Sequence, residues 1–271
     1  MSSPVPVRVD RGTLLTGSAL LILSAWAWIS TWQSADAMSM GSADASLATQ
    51  AAAYTLRWGV MMTAMMLPSA APMILLYRTV ALSLSGSDER AIPSPLFAAV
   101  YLAVWTIIGL LVFAASVAVE RVAAGSAAAQ RAFPFAVAAV LATAGLYQFS
   151  ALKHACLQQC ESPLTFLMAR WRASYRATLG LALRHAAYCL GCCWALMLIL
   201  VAAGAMSMPW VLLISLLVFA EKVLPDGQRT AAVIGMLLAL LAAAVVVRPE
   251  LAETIRFAPA SEMPAMEGME R

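Results

Sequence analysis

The chemistry in this chain is concentrated in Arg184-His185-Ala186-Ala187-Tyr188-Cys189-Leu190-Gly191-Cys192-Cys193-Trp194. On a helix turning about 100° per residue, His185, Cys189, Cys192 and Cys193 fall within about 100° of arc, so one imidazole and three thiols share a face. Thiolate and imidazole select Cu(I) and zinc over hard cations, which prefer oxygen. A single free cysteine packs like a small hydrophobe. Three in five positions, with a histidine one turn earlier, read instead as a ligand or redox set.

Two further clusters carry soft donors. Met61-Met62-Thr63-Ala64-Met65-Met66 precedes Pro68 and Pro72, and pairs Met61 with Met65 and Met62 with Met66 one turn apart. A thioether is soft and neutral, and is therefore easily buried. Pro68 removes an amide donor and predicts a kink. Later, Lys153-His154-Ala155-Cys156-Leu157-Gln158-Gln159-Cys160-Glu161-Ser162-Pro163 sets Cys156 and Cys160 one turn apart, with Lys153 near enough in sequence to favour thiolate. Met38-Ser39-Met40 and Met206-Ser207-Met208 are lesser candidates for collecting Cu(I). Glu221-Lys222 reads as an interfacial ion pair that positions its helix.

The elements that hold these residues follow from composition. Of 271 residues, 62% are hydrophobic and only 11% charged, with a mean hydropathy of +0.83; a soluble domain carries about 25% charged residues. Uncharged runs at 12–35, 58–77, 91–119, 132–152, 185–220 and 230–247 each reach the length of about 20 residues needed to cross a bilayer. Gly204, Ser207 and Pro209 divide the fifth run. The expectation is an all-α, polytopic transmembrane bundle of seven spans, near residues 13–33, 55–77, 95–119, 133–155, 178–203, 208–224 and 230–248. Residues 1–12 form a cytoplasmic N-terminal tail, 13–248 the transmembrane helical domain, and 249–271, acidic and Pro-containing, a disordered C-terminal tail.

A net charge of +3 does not indicate nucleic-acid binding here, because the basic residues sit at helix ends. Arg8, Arg11, Arg78, Arg90, Lys153, Arg170, Arg172, Arg176, Lys222 and Arg229 gather on one side, which the positive-inside rule makes cytoplasmic. This places the amino terminus in the cytoplasm, with the bilayer as the chain's first partner. The first span has a rival reading as a signal peptide cleaved near Ala35-Asp36-Ala37, which would leave six helices. Under this topology the second-span methionines and Cys189, Cys192 and Cys193 lie at similar depth. Cys156 and Cys160 lie about one leaflet further in. Outer Met, midplane Cys and Met, and inner Cys then trace a relay.

The chain resembles a bacterial family described as predicted metal-binding integral membrane proteins, often labelled copper chaperones. The resemblance rests on Met62-Thr63-Ala64-Met65-Met66-Leu67-Pro68, on Tyr147-Gln148 with the 153–163 segment, on Leu183-Arg184-His185 through Tyr188-Cys189-Leu190-Gly191-Cys192-Cys193-Trp194-Ala195-Leu196-Met197, and on Glu221-Lys222. Glu161 stands where that family usually has a basic residue, and Gln158-Gln159 replace residues that are often basic. The resemblance implies copper handling.

The functional expectation is an integral membrane protein binding a soft transition metal, Cu(I) ahead of zinc. Its metal-ligating candidates are Cys189, Cys192, Cys193, His185, Met62, Met65, Met66, Met61, Cys156 and Cys160. A copper donor or acceptor protein is the expected partner, and no enzyme activity is expected. Two alternatives stand beside this: a membrane thiol–disulfide electron carrier, and a metal-free assembly subunit of a copper enzyme. No Walker-type phosphate loop and no His-Glu-x-x-His pair is present in the sequence.

Overall fold

The computed structural model describes residues 11–37, 46–84, 94–124, 127–172, 174–203 and 207–255. Among these every regular element is a helix: α1 (Arg11–Ala37), α2 (Leu47–Leu84), α3 (Ser94–Ala124), α4 (Ala127–Tyr147), α5 (Ala151–Glu161), α6 (Pro163–Met168), α7 (Tyr175–Ala203), α8 (Met208–Val223), α9 (Gly227–Val247) and α10 (Leu251–Ile255). The all-helical expectation therefore holds. Five helices are long and apolar enough to cross a membrane: α1, α2, α3, α7 and α9. A sixth crossing arises if α4 and α5 count as one bent span.

The other two of the seven expected spans are less regular, and the reasons are local. The span expected at 133–155 is broken after Tyr147 and turns by 63° into α5. Ser150 restarts the helix as its N-cap, its Oγ accepting from the Lys153 amide at 3.1 Å. The span expected at 208–224 is α8, of 16 residues, about 24 Å long at 1.5 Å per residue. That is short of the roughly 30 Å hydrocarbon thickness.

α2 runs unbroken through Pro68 and Pro72. Ser69 Oγ donates to the Met66 carbonyl at 3.0 Å in the turn where the prolines remove amide donors. Of the carboxy-terminal segment expected to be disordered, residues 251–255 form α10. Trp210 Nε1 donates to the Ile255 carbonyl at 2.7 Å and ties that helix to α8. The tail beyond Ile255, Met38, Met40 and Met206 lie outside the described residues; Met208 opens α8.

Packing is layered by neighbour: α2 lies between α1 and α3, α4 packs on α9, and α7 takes α5, α3 and α4 around it, with α8 against α2, α7 and α9. The close approach of α4 to α9 depends on Gly145 and Gly235; a Cβ at Gly145 would come within 2.9 Å of the Gly235 carbonyl oxygen. The interior is aromatic and sulfur-rich. Trp58, Tyr77, Phe97, Tyr101, Trp105 and Met61, Met62, Met65 and Met66 are fully buried, and Trp58 Nε1 donates to the Trp105 carbonyl at 3.1 Å. The outside is apolar as well: Leu21, Ile22, Leu110, Leu111, Leu237 and Leu240 are exposed. An apolar exterior of this extent suits hydrocarbon rather than water.

Candidate metal centre

The bend after Tyr147 decides where the sulfur atoms lie. It lays α5 along α7, which brings Cys156 to the cysteine-bearing stretch of α7. Gly191 permits the approach: a Cβ there would come 2.7 Å from Cys156 Sγ. Tyr147 fixes the corner by donating its hydroxyl to the Gly191 carbonyl at 2.5 Å and by packing its ring edge-on against Trp194. Cys160, one turn further along α5, is half-buried. Cys156, expected at an inner site with Cys160, thus lies against α7 at Gly191.

All five cysteines are free thiols, and Cys156, Cys189, Cys192 and Cys193 are buried. Cys192 Sγ and Cys193 Sγ donate to the Cys189 carbonyl at 3.1 and 2.9 Å. Cys189 Sγ has different company: Lys222 Nζ at 3.0 Å and the Tyr101 hydroxyl at 2.9 Å. Lys222 also donates to Ser69 Oγ at 3.3 Å, which links α8, α7 and α2 at one point. An ammonium beside that sulfur compensates the negative charge a thiolate would carry.

His185 lies on the expected face of α7 but inside a ring of aromatics. Its imidazole is 5.5 Å from the Tyr101 ring, 5.9 Å from Phe166 and 6.0 Å from Phe97. It is 4% exposed, and neither ring nitrogen has a hydrogen-bond partner. Such a buried polar group calls for an explanation, and the explanation is adjacent. His185 lines a cavity of about 230 Å³ together with Ser69, Met73, Cys160, Glu161 and Lys222.

The second-span methionines are buried in the core, and α2 approaches the thiols through Ser69 rather than by packing along α7. By helical spacing Met62, Met65 and Met66 share the face of α2 that bears Ser69. Glu221 and Lys222 do not pair with each other as expected. Glu221 Oε2 accepts from Lys153 Nζ at 2.7 Å, with both side chains 1% exposed. Lys153 is thereby committed to a carboxylate, not to the neighbouring thiols, because a buried ammonium takes the strongest acceptor within reach. Sequence reasoning missed Lys222, Tyr101 and Ser69 at the centre. The one signal available was a charged pair, Glu221-Lys222, directly after an uncharged run.

Among the described residues, no group of three or more His, Cys, Asp and Glu side chains stands in metal-holding geometry. The thiols are instead turned to protein partners, the Cys189 carbonyl above all. Two thiolates suffice for linear Cu(I), so an arrangement below three ligands still suits that ion.

The molecule is thus an all-helical protein, with helices apolar enough to cross a bilayer, four of its five cysteines buried and an ammonium on one of them. A family model described as a copper chaperone, PpoB2, matches residues 55–245, and the chain belongs to that family. The match takes in both cysteine segments, the α2 methionines and Lys222. No match was found among curated proteins or among solved structures.

Proposed function

We propose that the chain is a multi-pass protein of the bacterial cytoplasmic membrane, with its amino terminus in the cytoplasm, that takes Cu(I) as cargo. Counting the bent α4–α5 pair and short α8 as crossings gives seven. Cys160, Cys189, Cys192 and Cys193 are the sulfur donors, with Cys156 behind them and His185 at the cavity wall. Met62, Met65 and Met66, on the Ser69 face of α2, supply neutral soft donors on the approach, with Met61 beside them; a copper donor or acceptor protein loads or empties the centre. The observation that carries this reading is the burial of Cys189, Cys192 and Cys193 on one side of α7, with Cys156 of α5 against Gly191 and the Lys222 ammonium on Cys189 Sγ.

The test is copper per chain. The full-length protein is purified in detergent with Cu(I) under anaerobic conditions, alongside a Cys189→Ser, Cys192→Ser, Cys193→Ser variant. Copper should fall to background in the variant. Unchanged stoichiometry would remove the thiol centre as the cargo site.

One observation favours a second reading. α5, which carries Cys160, packs on α7, which carries Cys192; a disulfide between the two would release two electrons and two protons to an oxidant of the membrane quinone class. Thiol trapping separates the two: a reversible bond between residues 160 and 192 supports electron transfer, whereas thiols shielded by Cu(I) support copper handling. Copper-free protein co-purifying with a copper enzyme would point instead to an assembly subunit.

A further inference from the structure

Lys222 occupies an unusual position for a lysine. Lys222 is half-buried, and an ammonium facing an apolar interior needs an anionic or strongly dipolar partner. Glu221, adjacent in sequence, is already committed to Lys153. Lys222 has turned instead to Cys189 Sγ and Ser69 Oγ, at 3.0 and 3.3 Å. With Tyr101 on the same sulfur at 2.9 Å, Cys189 is surrounded by the groups a soft cation would have to displace. Lys222 therefore stands where cargo must arrive.

An alternative place for the ammonium exists. Lys222 and Glu161 line the same cavity of about 230 Å³. One liquid water takes about 30 Å³, so this space accommodates a swinging ammonium on its flexible four-carbon stem. Glu161 leans toward the Gly227 amide at the start of α9, but its buried Oε1 has no hydrogen-bond partner of good geometry. Among the described residues Glu161 is in no ion pair, while Lys153–Glu221 and Arg229–Asp226 are paired.

We propose that Lys222 is a tethered counter-cation: it holds Cys189 while the centre is empty and crosses the cavity to Glu161 when Cu(I) takes the sulfur. This rests on the Cu(I) reading above and adds a reason for monovalent cargo. With Cys189 present as the thiolate that the ammonium compensates, exchanging one unit of positive charge for another leaves the charge at that sulfur unchanged and releases no proton, whereas a divalent ion adds a surplus that an apolar interior penalises. Lys222 and Glu161 are positioning residues in this scheme.

The test is a double-mutant cycle on Cu(I) affinity, using the full chain in detergent and competition with a chromophoric Cu(I) chelator. Wild type, Glu161→Gln, Lys222→Met and the double variant are compared. Glu161→Gln should weaken Cu(I) binding about tenfold in the wild-type background, about 1.4 kcal/mol, because the displaced ammonium loses its acceptor. With Lys222→Met already present, the same change should cost less than about twofold. Lys222→Arg should retain the Glu161→Gln penalty, and Lys222→Gln repeats the cycle if Lys222→Met is not recovered folded. Equal penalties in both backgrounds, or none in either, would overturn the proposal while leaving copper binding intact. A wild-type chain that binds no Cu(I) would overturn the cargo reading and this proposal with it.

Discussion

Replacing Glu221 by Gln should be the most damaging single change in the protein that touches no sulfur atom. The amide keeps the shape of the side chain and removes the charge facing Lys153, whose Nζ lies 2.7 Å from Glu221 Oε2 with both side chains 1% exposed. Water cannot step in at that depth, and an uncompensated buried charge costs about 3–5 kcal/mol. At about 1.4 kcal/mol per factor of ten, the ratio of folded to unfolded protein drops by roughly two to three and a half powers of ten. Against a total stability of about 5–15 kcal/mol, that is a large fraction. The double variant Lys153→Met, Glu221→Leu removes both charges, and should return stability to within about 1 kcal/mol of the parent or exceed it. The assay is chemical unfolding in detergent followed by the fluorescence of the chain's eight tryptophans. A loss below about 1 kcal/mol for Glu221→Gln, or a double variant no more stable than the single, would refute the reasoning that this pair is desolvated.

Three other substitutions separate structure from function. His185→Phe fits a pocket already made of Phe97, Tyr101 and Phe166 and removes two unpartnered nitrogens; stability should rise by about 1 kcal/mol or more while copper per chain falls. Tyr147→Phe removes the hydrogen bond to the Gly191 carbonyl and should cost about 1 kcal/mol in the same unfolding assay. Gly145→Val places a Cβ 2.9 Å from the Gly235 carbonyl oxygen and 3.1 Å from the Ala239 amide nitrogen, which should part α4 from α9 and cost about 1–3 kcal/mol.

Much of the molecule is legible in its residues because hydrophobic length and helical phase are local properties. The uncharged runs at 12–35, 58–77 and 230–247 lie within single helices, and the phase of His185, Cys189, Cys192 and Cys193 places them on the buried side of α7. What local reading misses is direction. The run from Ala132 to Leu152 carries no charge, so nothing in its composition marks the turn after Tyr147. Ser150 is the only cap signal, and with Lys153 rather than Glu or Gln three residues later it forms no capping box. That single turn lays the helix bearing Cys156 and Cys160 along α7. Lys222 was hidden by distance along the chain, 33 residues from Cys189. A lysine at a helix end also reads equally well as a topology signal.

The Lys153–Glu221 pair constrains the order in which the chain can be completed. Lys153 leaves the ribosome 68 residues before its carboxylate, so for that interval α5 carries an uncancelled charge toward an apolar phase. The helix must wait near the headgroups, where a lysine can reach water, until α8 is made. The interior around Cys189 therefore closes late and all at once, since the arrival of Glu221 that releases α5 inward also brings Lys222 to Cys189. Nascent chains halted before Glu221 should keep Lys153 open to a water-soluble amine reagent, and chains extended past α8 should protect it. Equal labelling at both lengths would show that α5 enters without its partner.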